Sequence, residues 1–75
     1  MPVEERTDRL SALTTREAQI AKAVAEGRGN REIATQLGIT EQTVKNHLTS
    51  IFEKVGVNSR LQLALVILQE RNNQG

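Results

Sequence analysis

Between Thr40 and Lys54 the chain reads TEQTVKNHLTSIFEK, and its polar members are mostly amides and hydroxyls rather than the dense charge mix of an ordinary solvated helix. At an advance of about 100° per residue, Val44, Leu48, Ile51 and Val55 fall on one apolar stripe. Gln42, Lys45, Asn46 and Thr49 then face the other way in the early turns, with Glu53 further along. Together these side chains suit one kind of chemistry, the reading of base edges in a duplex. Asn or Gln can pair with adenine N6 and N7, Lys can donate to guanine O6 and N7, and a Thr methyl can touch a thymine methyl. A helix that enters the major groove by its N-terminal part needs this polarity, with the phosphate-repelling acid at the far end. An isolated Gln or Lys would be plain surface; the clustering carries the reading.

Such a helix has to be positioned, and the sequence marks how. Gly27, Gly38 and Gly56 each follow a run with helical spacing, and Ile39 and Val57 supply the apolar residue that a glycine-capped helix end folds back on itself. The starts agree with the stops. Thr14 with Glu17 has capping-box spacing, Asn30 and Thr40 suit N-caps, and Ser59 with Gln62 repeats the box. The signals predict helices near 15–26, 30–37, 41–55 and 59–71. No stretch alternates with period two for long enough to make a strand, so the class is all-α, a compact four-helix domain. The second and third helices are joined by Gly38, Ile39 and Thr40, the short glycine connection of a helix-turn-helix. Residues 1–12 are expected to be a flexible arm or residual linker, 13–72 the domain and 73–75 a tail.

Composition narrows the possibilities. A chain of 75 residues makes one small domain that buries only about 60% of its unfolded surface, so a partner would help it. There is no cysteine, which removes disulfides and thiolate metal sites, and nothing resembles a signal peptide or membrane span, so a cytoplasmic location is expected. Net charge is only +1, and residues 13–75 carry eight bases against six acids, a weak sign in the direction of nucleic acid. With Phe52 as the sole aromatic residue, modules that stack unpaired bases are poor candidates, so a nucleic-acid partner would be a duplex.

Other residues invite chemistry that the sequence does not support. His47 is the only histidine and lies beside the apolar stripe, so it reads as a packing residue without a metal or catalytic partner. The GRGN stretch from Gly27 to Asn30 follows a helix and lacks the ending of a phosphate-binding loop. No nucleophile has a visible base, so no enzyme activity, cofactor or small-molecule ligand is expected. Glu17 and Arg60 are a candidate structural ion pair.

From Leu13 to Ile67 the sequence resembles, without a gap, the LuxR/NarL-type (GerE-like) helix-turn-helix family, through LTTRE, AEG, NREIATQL, IT, TVKNH and KVGVNSR in order. The resemblance implies a domain that binds operator DNA as a homodimer and regulates transcription, with RNA polymerase as a further partner, either as a standalone regulator or as the effector domain of a response regulator. It assigns base contacts to Gln42, Lys45, Asn46 and Thr49. Some members carry basic residues at the first and last of these, so no relative's target sequence can be borrowed. It assigns phosphate contacts to Asn30, Arg31, Thr40, Thr43 and Lys54, and a helix N-terminus offers the first two an anion-binding setting on physical grounds.

The fourth helix is apolar nearly all round. Its periodicity separates Leu61, Ala64, Leu65 and Leu68 from Leu63, Val66 and Ile67. A domain this small cannot bury both faces, and the expectation is that Leu63, Val66, Ile67 and Glu70 meet a twin. Packing of that patch on residues 1–12, with Val3 and Leu10 as candidate contacts, or on a further domain is the competing arrangement. Two other readings compete for the whole chain. A sigma-factor region-four domain shares a similar helix-turn-helix but usually ends near the recognition helix, and a protein-interaction module could keep the fold without binding DNA.

Overall fold

The structure is a computed structural model that describes residues 9 to 72. A short 3-10 helix, Arg9–Ala12, leads into four α-helices: α1 Thr15–Ala25, α2 Asn30–Leu37, α3 Glu41–Val55 and α4 Arg60–Asn72. The described residues are all helical or connecting, as the spacing predicts, and the helix ends agree with expectation to within a residue. The 3-10 helix departs from the expected loose arm. Leu10 and Leu13 pack on the edge of the core, and the Leu13 amide donates to the Leu10 carbonyl at 3.2 Å. The rest of the arm (1 to 8) and the tail (73 to 75), including Val3, lie outside the described residues.

Caps set the helix limits. The Thr14 hydroxyl accepts from the Glu17 amide while the Glu17 carboxylate accepts from the Thr14 amide, completing the box at α1. Thr40 caps α3 through the Thr43 amide at 3.0 Å. At α2 the N-cap is Gly29 rather than Asn30, and Glu32 reaches back to the Gly29 amide at 3.2 Å. Asn30 is instead the first residue of the helix, and its side-chain oxygen accepts from Arg60. At α4, Ser59 caps the Gln62 amide, but the Gln62 side chain reaches one residue further back than expected, to the Asn58 amide at 2.7 Å.

The turn between α2 and α3 is closed by two bonds, Gly38 N–H to the Thr35 carbonyl and Ile39 N–H to the Ala34 carbonyl at 3.0 Å. This pairing needs a left-handed residue, and Gly38 has φ +72°. The core gathers inward residues from every α-helix, with Ile20, Ile33, Val44, Ile51 and Leu63 fully buried. α1 packs on α3 and α4, and α2 packs on α3.

α4 is rotated relative to the expected arrangement. Leu63, Val66 and Ile67, the face expected to meet a twin, are in the core, while Leu61, Leu65 and Leu68 are 69%, 51% and 42% exposed. Arg60 is consistent with this roll. Its two terminal nitrogens donate to Asn30 Oδ1 at 2.7 Å and to the Arg28 carbonyl at 2.6 Å. Residues three and seven positions beyond Arg60, Leu63 and Ile67, lie on the same inward side of the helix.

Candidate nucleic-acid interface

α3 is held from behind by Val44, Leu48, Ile51 and Val55, all buried, and from its start by the Thr40 cap. Its outward residues are thereby fixed in direction. Gln42, Lys45, Asn46 and Thr49 are exposed, with Glu41 before them and Glu53 beyond. Gln42 Nε2 donates to Asn46 Oδ1 at 3.1 Å, an i,i+4 pair. Two side-chain amides carry four N–H groups and two oxygens, so most of their hydrogen-bonding capacity stays open to solvent. The Thr49 hydroxyl donates to the Lys45 carbonyl at 3.2 Å. His47 is half-buried at the edge of the packed stripe, as its angle predicts.

The entrance of α3 offers a second set of polar groups. Thr40 and Thr43 place their hydroxyl oxygens 2.9 Å apart. One of the two O–H hydrogens bridges the pair, which leaves the other for an outside acceptor. The first amides of α3 and its positive dipole end lie there too, so the entrance suits an anion. At the start of α2, Arg31 is exposed. Among the described residues Arg31 and Lys45 enter no ion pair, so both cations are free for a partner.

Two of the five expected phosphate contacts are otherwise engaged. Asn30 Oδ1 accepts from Arg60, leaving only its amide N–H groups. Lys54 is committed more firmly: its ammonium sits 2.7 Å from Glu17 Oε1. Glu17 is 5% exposed and also accepts from Ser50 Oγ at 2.9 Å and from the Thr14 amide. The Lys54 hydrogen bond, then the Thr14 amide, outweigh the opposing effect of burial and hold the Glu17 carboxyl at about 2, against an ordinary 4.5. Lys54 therefore neutralises a buried carboxylate and locks α3 to α1. The expected Glu17 to Arg60 pair does not form, because each has these other partners.

Sequence reading missed the Arg60 staple and the Ser50 contact. Arg60 stands directly before an apolar run, a signal that a long side chain at the head of the helix could anchor it. Ser50 carried no such signal, since a serine one position before the buried Ile51 has nothing in the sequence to tie it to Glu17.

A tight glycine turn that joins a packed helix to a second helix with an open polar face defines a helix-turn-helix domain. The comparisons with known proteins agree. The family "Bacterial regulatory proteins, luxR family" (GerE) matches residues 11–67, and the chain belongs to that family. The chain is 40% identical over 67 residues to the nitrate/nitrite response regulator protein NarP of Escherichia coli (strain K12), covering 89% of this chain and 31% of that one. It is 42% identical over 62 residues to the nitrate/nitrite response regulator protein NarL of the same strain, covering 83% and 29%. It is 46% identical over 54 residues to the transcriptional regulatory protein LiaR of Bacillus subtilis (strain 168), covering 72% and 26%. The chain thus spans less than a third of the length of these relatives. Among the described residues, no helix is long and apolar enough to cross a membrane.

Proposed function

We infer that this domain binds operator DNA sequence-specifically and regulates transcription, with α3 in the major groove. The observation that carries the reading is the row of exposed hydrogen-bonding side chains, Gln42, Lys45 and Asn46, on the early turns of a helix whose other face is buried. Gln42 and Asn46 would read adenine edges and Lys45 a guanine, with Thr49 beside them. Arg31 and the Thr40 and Thr43 hydroxyls would hold phosphates, with the Asn30 amide in a lesser part and Lys54 supporting α3 from behind.

The domain acts as a pair. Leu61, Leu65 and Leu68 form an exposed stripe at i, i+4 and i+7 on α4, and a second copy about a two-fold axis covers it most simply. Glu70, half-buried at the end of that helix, borders the contact. Two copies would place two recognition helices in major grooves about one helical turn apart. The regulators named among the relatives support a role at promoters, where RNA polymerase is the further partner, with this domain serving alone or as the output end of a response regulator acting in the cytoplasm.

The test is selection from a random duplex pool by the wild type and by Asn46→Ala, with affinities for the recovered sites measured at two salt concentrations. A half-site motif that relaxes at one position in the variant, with affinity falling steeply in salt, is the expected outcome. No motif and an isotherm indifferent to salt would refute DNA binding and favour a protein-interaction module.

A further inference from the structure

The open side chains of α3 are not equivalent, and Thr49 is the exception. Gln42 and Asn46 share one hydrogen bond and keep most of their donors, and the Thr40 and Thr43 hydroxyls bond to each other with one hydrogen to spare. Thr49 has a single O–H, and it is spent on the carbonyl of Lys45, one turn back on its own helix. The hydrogen is spent on the backbone, so toward a partner Thr49 has no donor and presents its methyl beside an oxygen that can only accept.

An exposed methyl on a base-reading helix has a natural counterpart. Among the base edges of the major groove, the apolar landmark is the C5 methyl of thymine; every other distinguishing feature is a donor or an acceptor. Methylation of cytosine at C5 puts the same group on the other pyrimidine. We propose that Thr49 is a methyl-reading residue: it recognises the C5 methyl of a pyrimidine, thymine in unmodified DNA, and gives no hydrogen bond to a base. The proposal rests on the DNA-binding reading above and narrows the half-site to one that holds a thymine within reach of the third turn of α3.

The experiment takes the selected operator and replaces each thymine in turn by deoxyuridine, which removes only the methyl. Binding is measured for the wild type, Thr49→Val and Thr49→Ser, all three first compared by far-ultraviolet circular dichroism to confirm equal folding. Burying one methyl group corresponds to roughly a four-fold change in affinity. The expected result is one position per half-site at which deoxyuridine weakens the wild type about four-fold. Thr49→Val should keep that loss, since it retains the methyl, and Thr49→Ser should bind the thymine and deoxyuridine duplexes alike. A 5-methylcytosine pair at that position should bind the wild type more tightly than an unmethylated one. A Thr49→Ser variant as sensitive to deoxyuridine as the wild type overturns the proposal, and so does a Thr49→Val variant that binds the operator ten-fold more weakly. Either result leaves DNA binding standing, whereas a wild type that selects no motif removes both readings.

Discussion

Glu17 ties three parts of the chain together, and acid should loosen them. Its carboxylate receives Lys54 at 2.7 Å, Ser50 at 2.9 Å and the Thr14 amide, so α3 and the head of α1 are joined through one charge. Its folded pKa, about 2, lies below the ordinary 4.5. A carboxyl depressed in the folded state adds stability above its unfolded pKa and loses it as pH falls through the folded one. The window therefore runs from about pH 5 down to about pH 2. The full shift would correspond to about 3 kcal/mol. The Lys54 side chain is 35% exposed, and solvent screens that part of the interaction, so about 1–2 kcal/mol is the expected contribution. For a domain whose total stability is roughly 4–11 kcal/mol, that is a large share. The perturbation is Glu17→Gln, which keeps shape and an acceptor for the Thr14 amide but places no charge before Lys54. Urea unfolding followed by helical circular dichroism at pH 7, 5 and 3 measures it. The wild type should lose roughly 1 kcal/mol more than Glu17→Gln between pH 7 and 3, and the two should converge only below about pH 2. Parallel pH profiles for the two proteins would refute the reasoning.

Other outcomes follow from the placement of single residues. Arg31→Ala should weaken DNA binding about equally across sequences and reduce the slope of log affinity against log salt by about 1 unit, leaving the selected motif unchanged. Leu65→Glu should leave the unfolding midpoint nearly unchanged while reducing self-association and operator affinity, as read by sedimentation and titration. Ile67→Glu puts a charge into the core and should destabilise the fold by about 3 kcal/mol or more. Gly38→Ala forces a side chain into φ +72° and should cost about 1 kcal/mol, lowering the thermal midpoint by about 4–8 °C.

How far the sequence could be read depended on whether each signal was local. Helix ends are set by caps within four residues, and Thr14, Thr40, Gly38 and Gly56 all act where their spacing puts them. The inward face of α3 was equally plain, because Val44, Leu48, Ile51 and Val55 are its only well-spaced apolar set. The 3-10 helix at Arg9–Ala12 escaped notice because four residues carry no periodicity; only the packing of Leu10 and Leu13 reveals it. In α4 periodicity found two apolar faces and had no means of ranking them. The roll is settled by packing against the other helices, and the contacts that accompany it, Arg60 with Asn30 and Arg28, span about thirty positions of chain, which no local pattern encodes. The Lys54 to Glu17 pair is hidden from the sequence for the same reason, since the two residues sit on different helices. The outward residues of α3 needed only its angle, so that row was the most legible part of the candidate site.

The Arg60 anchorage has a consequence for the DNA as well as for the protein. With Leu63 and Ile67 buried and Arg60 bonded to Asn30 and Arg28, the direction in which Leu61, Leu65 and Leu68 look out from the domain is set. Two domains joined through those leucines would then behave as a caliper with a set opening rather than as beads on a string. The operator would be gauged as well as read. Inserting about five base pairs between half-sites would carry one of them to the opposite side of the duplex, where the second jaw cannot close, however faithful its sequence.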